Sequence, residues 1–153
     1  MEGMSARYLE DFTVGSTTVT PSILVEKAQM MAFAAEFDPQ PFHLDEAAAR
    51  ASIFGAISAS GWYTAALSMR MVADGQIVVP GSTVGLGWEE FRWPNPVYAG
   101  DELHVESEVI EVRPSKSKPD QGVARIRQTT LNQRGEPVMT GVVAIMAFRR
   151  PAR

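Results

Sequence analysis

Residues 61–73 form a helical stretch with apolar or small side chains in every direction: Trp62, Tyr63, Ala65, Ala66, Leu67, Met69, Met71 and Val72. Only Thr64, Ser68 and Arg70 interrupt it. In water such a helix must be enclosed by other elements, and Ser60 is placed to cap its start. After Gly75 the pattern changes to strands and stays there. Val84, Leu86 and Trp88 alternate, then Phe91 and Trp93 alternate in the opposite phase, which predicts a bulge at Glu89-Glu90. Leu103, Val105 and Val109 alternate against Glu102, His104, Glu106 and Glu108, the mark of a half-exposed antiparallel strand. A polar loop over 114–122, a strand over 123–131, a turn at 132–135 and a strand over 138–148 complete the set. The last strand is apolar on both faces and belongs in a central position. The expected fold is α+β, a long antiparallel sheet curled around one buried helix. Such a sheet leaves an open edge, which dimerisation would cover.

Ahead of that helix, residues 6–19 read as an opening segment with a turn at 11–15 and a short strand at 16–19. Thr20-Pro21 has the form of a cap followed by a first-turn proline. The predicted helix runs over 22–37 with Leu24, Ala28, Met31 and Ala35 on one face, and Asp38-Pro39 ends it. A short helix over 46–51 starts from Asp45. The 153 residues suit a single domain spanning 1–153, without repeats or linkers.

Several functions are disfavoured. A net charge of −4 argues against nucleic acid as partner, though not against a small phosphate-bearing ligand. The absence of cysteine excludes disulfides, thiolate nucleophiles and cysteine zinc sites. No run of about 18 apolar residues suggests a membrane span. Met1-Glu2-Gly3-Met4 lacks the basic-then-apolar order of a signal peptide, so a cytoplasmic location is the expectation. There is no glycine-rich phosphate loop, Gly-x-Ser-x-Gly elbow or kinase set.

Chemistry concentrates in Asp38-Pro39-Gln40-Pro41-Phe42-His43. Two prolines in four residues are expected to exclude a regular helix there and to fix the local backbone. A carboxylate beside an imidazole can hold, deprotonate and reprotonate a water near neutral pH. That is the chemistry of adding water to an activated double bond, or removing it. On these residues alone, an equal reading has Asp38 ending a helix and His43 packing in a turn, since Asp-Pro turns are common. The other histidine, His104, lies among glutamates and reads as a surface residue. Two histidines so placed make no metal site.

Three motifs in register carry a resemblance: Asp38 to His43, then Phe54-Gly55-Ala56-Ile57-Ser58-Ala59-Ser60-Gly61, then Pro94-Asn95-Pro96-Val97-Tyr98-Ala99-Gly100-Asp101. From about Phe12 to Phe148 the chain resembles the MaoC-like dehydratases, the (R)-specific enoyl-CoA hydratase branch of the hot-dog fold. Gln40 stands where the family pattern has Asn, and Ser60 where relatives often have His. The resemblance implies that Asp38 and His43 bind a water and add it across a trans-2-enoyl thioester, giving an (R)-3-hydroxyacyl thioester. Charge then builds on the thioester oxygen, which needs a donor. The resemblance gives that oxyanion role to Gly61, whose N–H heads the helix at its positive end. Gly61 also permits close packing, and both uses are compatible. Gln40 and Ser60 are the implied substrate-side contacts.

The implied substrate is a coenzyme A or acyl carrier protein thioester, with no metal or redox cofactor, acted on by a homodimer or dimer of dimers. Arg92, Lys116 and Lys118 are candidate phosphate contacts. Tyr63, Met69 and Met71 belong to the core or an acyl tunnel; Trp88, Phe91 and Trp93 are expected to pack on the helix, with one of them flanking the thioester as the alternative. Two rival readings of the same motifs are a hot-dog thioesterase and an inactive acyl-thioester-binding protein.

Overall fold

The computed structural model of the chain describes residues 7–75 and 81–153. Met1 to Met4 and Ala6, the first residue of the expected opening segment, lie outside the described residues. A short 3₁₀ turn, Leu9–Asp11, precedes β1 (Thr17–Val19) and β2 (Ile23–Leu24). Four helices follow: α1 (Lys27–Phe37), α2 (Pro41–Leu44), α3 (Glu46–Ala51) and α4 (Gly61–Asp74). Then come β3 (Thr83–Arg92), β4 (Glu102–Pro114), β5 (Gln121–Leu131) and β6 (Pro137–Phe148). The strands pair antiparallel in the order β1-β4-β5-β6-β3, with β2 also on β4.

The long sheet packs on α4 as its sequence requires. Tyr63, Leu67, Met71 and Val72 of the helix are buried in one cluster with Val97, Leu103, Val105 and Val138. A second cluster, built on Val109, Ile126, Val143 and Ile145, fills the far end of the sheet. β6, apolar on both faces, lies between β5 and β3 as expected. The bulge at Glu89-Glu90 is present, with a register shift there and Glu90 at φ 53°. Both caps hold: Asp45 accepts from the Ala48 N–H at 2.7 Å, and Ser60 from the Trp62 N–H at 3.2 Å.

Five expectations are corrected. The helix predicted over 22–37 begins only at Lys27, because Ile23 and Leu24 pair with Leu103 and Glu102. Extended pairing to β4 overrides helical propensity there. Thr20 is accordingly no cap; its buried hydroxyl accepts from the Val105 N–H at 2.9 Å. The buried face of α1 is Met30 and Ala34, not Leu24, Ala28, Met31 and Ala35, since apolar residues on most sides of α1 leave its phase undefined. Pro41 does not exclude helix. It starts one turn from the first helical position, where its missing N–H has no cost. Finally, α4 is enclosed on one side only within this chain: Trp62 is 58% exposed and Met69 is exposed with it.

Gly122 offers a stability test. A Cβ there would run into Leu9 and lie 2.6 Å from the Arg113 carbonyl oxygen, a backbone atom that no rotamer change removes. Gly122→Ala should lose about 1–3 kcal/mol, read as a drop of several degrees in melting temperature. Gly85→Ala, which meets nothing within 4 Å, should melt near the wild type.

Candidate active site

Asp38 caps the C-terminus of α1, its N–H on the Ala34 carbonyl at 2.9 Å. Pro39 forbids another helical residue before it. The Gln40 N–H turns back to the Asp38 carbonyl at 2.7 Å, and Pro41 then opens α2 with His43 as its third residue. Two helix ends thus bring the acid and the imidazole face to face: Nε2 of His43 lies 3.3 Å from Oδ2 of Asp38. His43 is buried, its ring nearly perpendicular to that of Phe42 at 4.6 Å between centroids.

The other ring nitrogen sets the tautomer. His43 Nδ1 is 2.6 Å from the Ser58 carbonyl oxygen. A carbonyl only accepts, so Nδ1 carries a hydrogen and Nε2 is the nitrogen turned to Asp38. A water lying against both can donate to Nε2 and to Oδ2.

Asp38 is held from two sides. Gln40 Nε2 donates to Oδ1 at 2.6 Å, and Ser60 Oγ donates to Oδ2 at 2.7 Å. The carboxylate side chain is 17% exposed. Burial pushes its pKa up, but the hydrogen bonds from Gln40 and Ser60, joined by the charge and Nε2–H of His43 when the ring is protonated on both nitrogens, outweigh burial and hold it below the ordinary carboxylate value. Ser60 is fully buried and also accepts from Trp62, so one hydroxyl ties the acid to the first turn of α4.

Gly61 follows directly. The Trp93 indole lies so close over it that a Cβ would sit 2.6 Å from two ring atoms. The two later motifs are joined here: the Ala59 N–H donates to the Val97 carbonyl at 2.8 Å, and the Tyr98 hydroxyl to the Phe54 carbonyl at 2.8 Å. A cleft of about 470 Å³ opens at this place, lined by Asp38, Gln40, His43, Gly61 and Thr64 among polar or small residues and by Phe42, Phe54, Trp62 and Trp93 among aromatic ones.

The structure therefore gathers Asp38, Gln40, His43, Ser60 and Gly61 in one place. Ser60 stands behind Asp38 and does not itself line the cleft. Arg92, Lys116 and Lys118 are not among the lining residues. His104 sits on β4 with Nε2 3.4 Å from Glu106, away from the cleft. Trp62, Phe91, Trp93 and Trp88 form one aromatic cluster at the start of α4. Among the described residues no group of three or more His, Asp or Glu could hold a metal. Sequence reasoning missed the Ser58 carbonyl, which no side chain announces. It also missed Thr64, whose polarity in an apolar helix, three residues after Gly61, was an available signal.

The clamp on Asp38 predicts a measurable titration. Removing a hydrogen bond that favours the ionised form raises a carboxyl pKa. The Asp38 carboxyl carbon, followed by ¹³C NMR, should titrate at higher pH in Ser60→Ala and in Gln40→Ala than in the wild type. Because the folded value is lowered, the stability Asp38 adds is present above its unfolded value and lost as pH falls through the folded one. Both variants should therefore lose part of that neutral-pH stability.

Comparison with known proteins gives a consistent result. Residues 11–131 match the family described as MaoC like domain. The MaoC-like dehydratase from Rhodospirillum rubrum superposes with a TM-score of 0.90 at 48% identity, over 95% of this chain and 99% of that one. The unliganded (R)-hydratase PhaJ1 from Pseudomonas aeruginosa gives 0.75 at 29% identity, over 95% and 88%. The uncharacterized protein YdeM of Bacillus subtilis (strain 168) is 32% identical over 141 residues, 92% of this chain and 99% of its own length.

Proposed function

The chain belongs to the MaoC-like dehydratase family and has its hot-dog fold, and from that premise we propose that it hydrates a trans-2-enoyl-CoA reversibly to the (R)-3-hydroxyacyl-CoA. The observation that carries this reading is the contact of Asp38 and His43, 3.3 Å apart in a cleft that also receives the start of α4. The stereochemistry follows the family resemblance.

In the reaction a water rests on Oδ2 of Asp38 and Nε2 of His43. Its oxygen bonds to C3 while one proton passes to the pair. The C2–C3 π electrons move toward the thioester, and the charge on its oxygen is met by the Gly61 N–H. The pair then returns a proton to C2, so H and OH have been added and both side chains are restored. The proton belongs to the coupled pair, without separate acid and base labels. The thioester itself acidifies C2 and polarises C3, so the proposed steps call on no metal or redox group.

Gln40 and Ser60, the departures from the family pattern, both donate to Asp38. That supports an active site over a binding protein that has lost turnover. The deciding assay follows absorbance of the conjugated enoyl thioester. Its loss on adding protein, with no release of free thiol, is the expected result. Thiol release would establish the thioesterase reading instead.

The proposed assembly is a homodimer. β3 is an edge strand, and Val84, Leu86 and Trp88 on it are exposed beside Trp62 and Met69 of α4. An unpaired apolar edge of this kind is what a second copy would cover. Sedimentation velocity should give twice the 16.7 kDa chain mass for the wild type and a shift to monomer for Leu86→Lys.

A further inference from the structure

Thr64 lies on the wall of the cleft, one turn into α4 from Gly61, and is 2% exposed. Its backbone carbonyl accepts from Ser68 Oγ at 2.8 Å, yet its own hydroxyl makes no hydrogen bond among the described residues. The hydroxyl is not among the buried atoms without a partner, so it opens to the cleft, where water meets it in the free protein. An acyl group that displaces that water leaves the hydroxyl unpaired unless it brings a polar atom of its own.

The rest of the wall narrows what that atom can be. The amide nitrogens of Gln40 and Asn95 each commit one of their two N–H groups, to Asp38 and to the Pro137 carbonyl at 2.8 Å. Among the described residues no Lys or Arg lines the cleft, and Asp38 already brings a carboxylate. A second carboxylate, on the acyl group, would be desolvated beside a like charge with no cation to meet it. A plain hydrocarbon would leave the Thr64 hydroxyl unpaired. A neutral oxygen satisfies it. Three helical residues rise about 4.5 Å, so Thr64 stands about that far along α4 from the Gly61 N–H, near the reach of a fourth acyl carbon when C1 is held at Gly61.

We propose that Thr64 is a specificity-determining residue that selects an acyl thioester bearing a neutral oxygen, a hydroxyl, near C4 over the hydrocarbon and over the carboxylate. This rests on the acyl-thioester reading of the cleft and adds which acyl group it takes. The neighbouring groove of about 450 Å³, which shares Trp62 with the cleft, has no Lys or Arg in its lining among the described residues.

Three ligands of one chain length isolate the fourth carbon: butyryl-CoA, 4-hydroxybutyryl-CoA and succinyl-CoA, ending in methyl, hydroxymethyl and carboxylate. Titration calorimetry on the full chain should find 4-hydroxybutyryl-CoA bound about tenfold more tightly than either of the others, the scale of one hydrogen bond. Thr64→Val should abolish that preference and Thr64→Ser should keep it. Equal or tighter binding of butyryl-CoA or succinyl-CoA, no binding of any of the three, or a preference that survives Thr64→Val would overturn the assignment. Should Thr64→Val fail to fold, the wild-type order still decides. None of these ligands can be hydrated, so the order stands apart from turnover. The predicted order in a protein that turns over no enoyl-CoA would keep Thr64 in this role and remove the hydro-lyase reading. Hydration of crotonyl-CoA without the order would do the reverse.

Discussion

Asp38→Asn should hydrate an enoyl-CoA about 10²–10⁴ times more slowly than the wild type, the usual contribution of a general acid–base group. The substitution is nearly isosteric and lies at a helix end, so the fold should persist. What changes is the receiving atom. Oδ2 accepts from Ser60 and faces Nε2 of His43, and Oδ1 accepts from Gln40. An amide offers one oxygen where the carboxylate offers two, so either Gln40 or Ser60 meets an NH₂ group instead of an acceptor. The water loses its anionic acceptor at the same time. Stopped-flow or steady-state absorbance on one enoyl-CoA, with circular dichroism as control, measures both effects. Near-normal turnover in a folded Asp38→Asn protein would eliminate the proposed chemistry.

His43→Ala should fall by a similar factor, for a different reason. The imidazole is anchored through Nδ1 to the Ser58 carbonyl and presents Nε2 to the water. Truncation removes the proton acceptor and also leaves the Ser58 carbonyl, in a buried residue, without its donor. That second loss costs about 1–3 kcal/mol of stability, so a lowered melting temperature should accompany the lost turnover. Asp38→Asn should show no comparable drop beyond the share tied to its charge. A His43→Ala protein that is destabilised but still turns over substrate at the wild-type rate would assign the imidazole to packing alone.

Much of this arrangement was legible before any coordinates. The alternation along β4, the apolar run of β6, the bulge at Glu89-Glu90 and the caps at Asp45 and Ser60 are local signals, and each appears where the residues put it. The Asp38-to-His43 bend was legible as a pairing of acid and imidazole for the same reason. What failed was non-local. Ile23 and Leu24 look helical until β4 is beside them. The phase of α1 depends on what packs against it, because its own apolar residues face most directions. The use of Ser60 and Gln40 depends on how far the end of α1 lies from the start of α4, a distance no pattern encodes. Both side chains turn out to be spent on Asp38.

Trp62 is a wall of the cleft and, on its other side, part of the exposed apolar surface that runs to Met69 and β3. Any body that settles on that surface presses against the same indole that frames the reacting groups. Specific activity per chain should therefore depend on protein concentration, falling on dilution below the dissociation constant of the dimer even though Asp38, His43 and Gly61 come from one polypeptide.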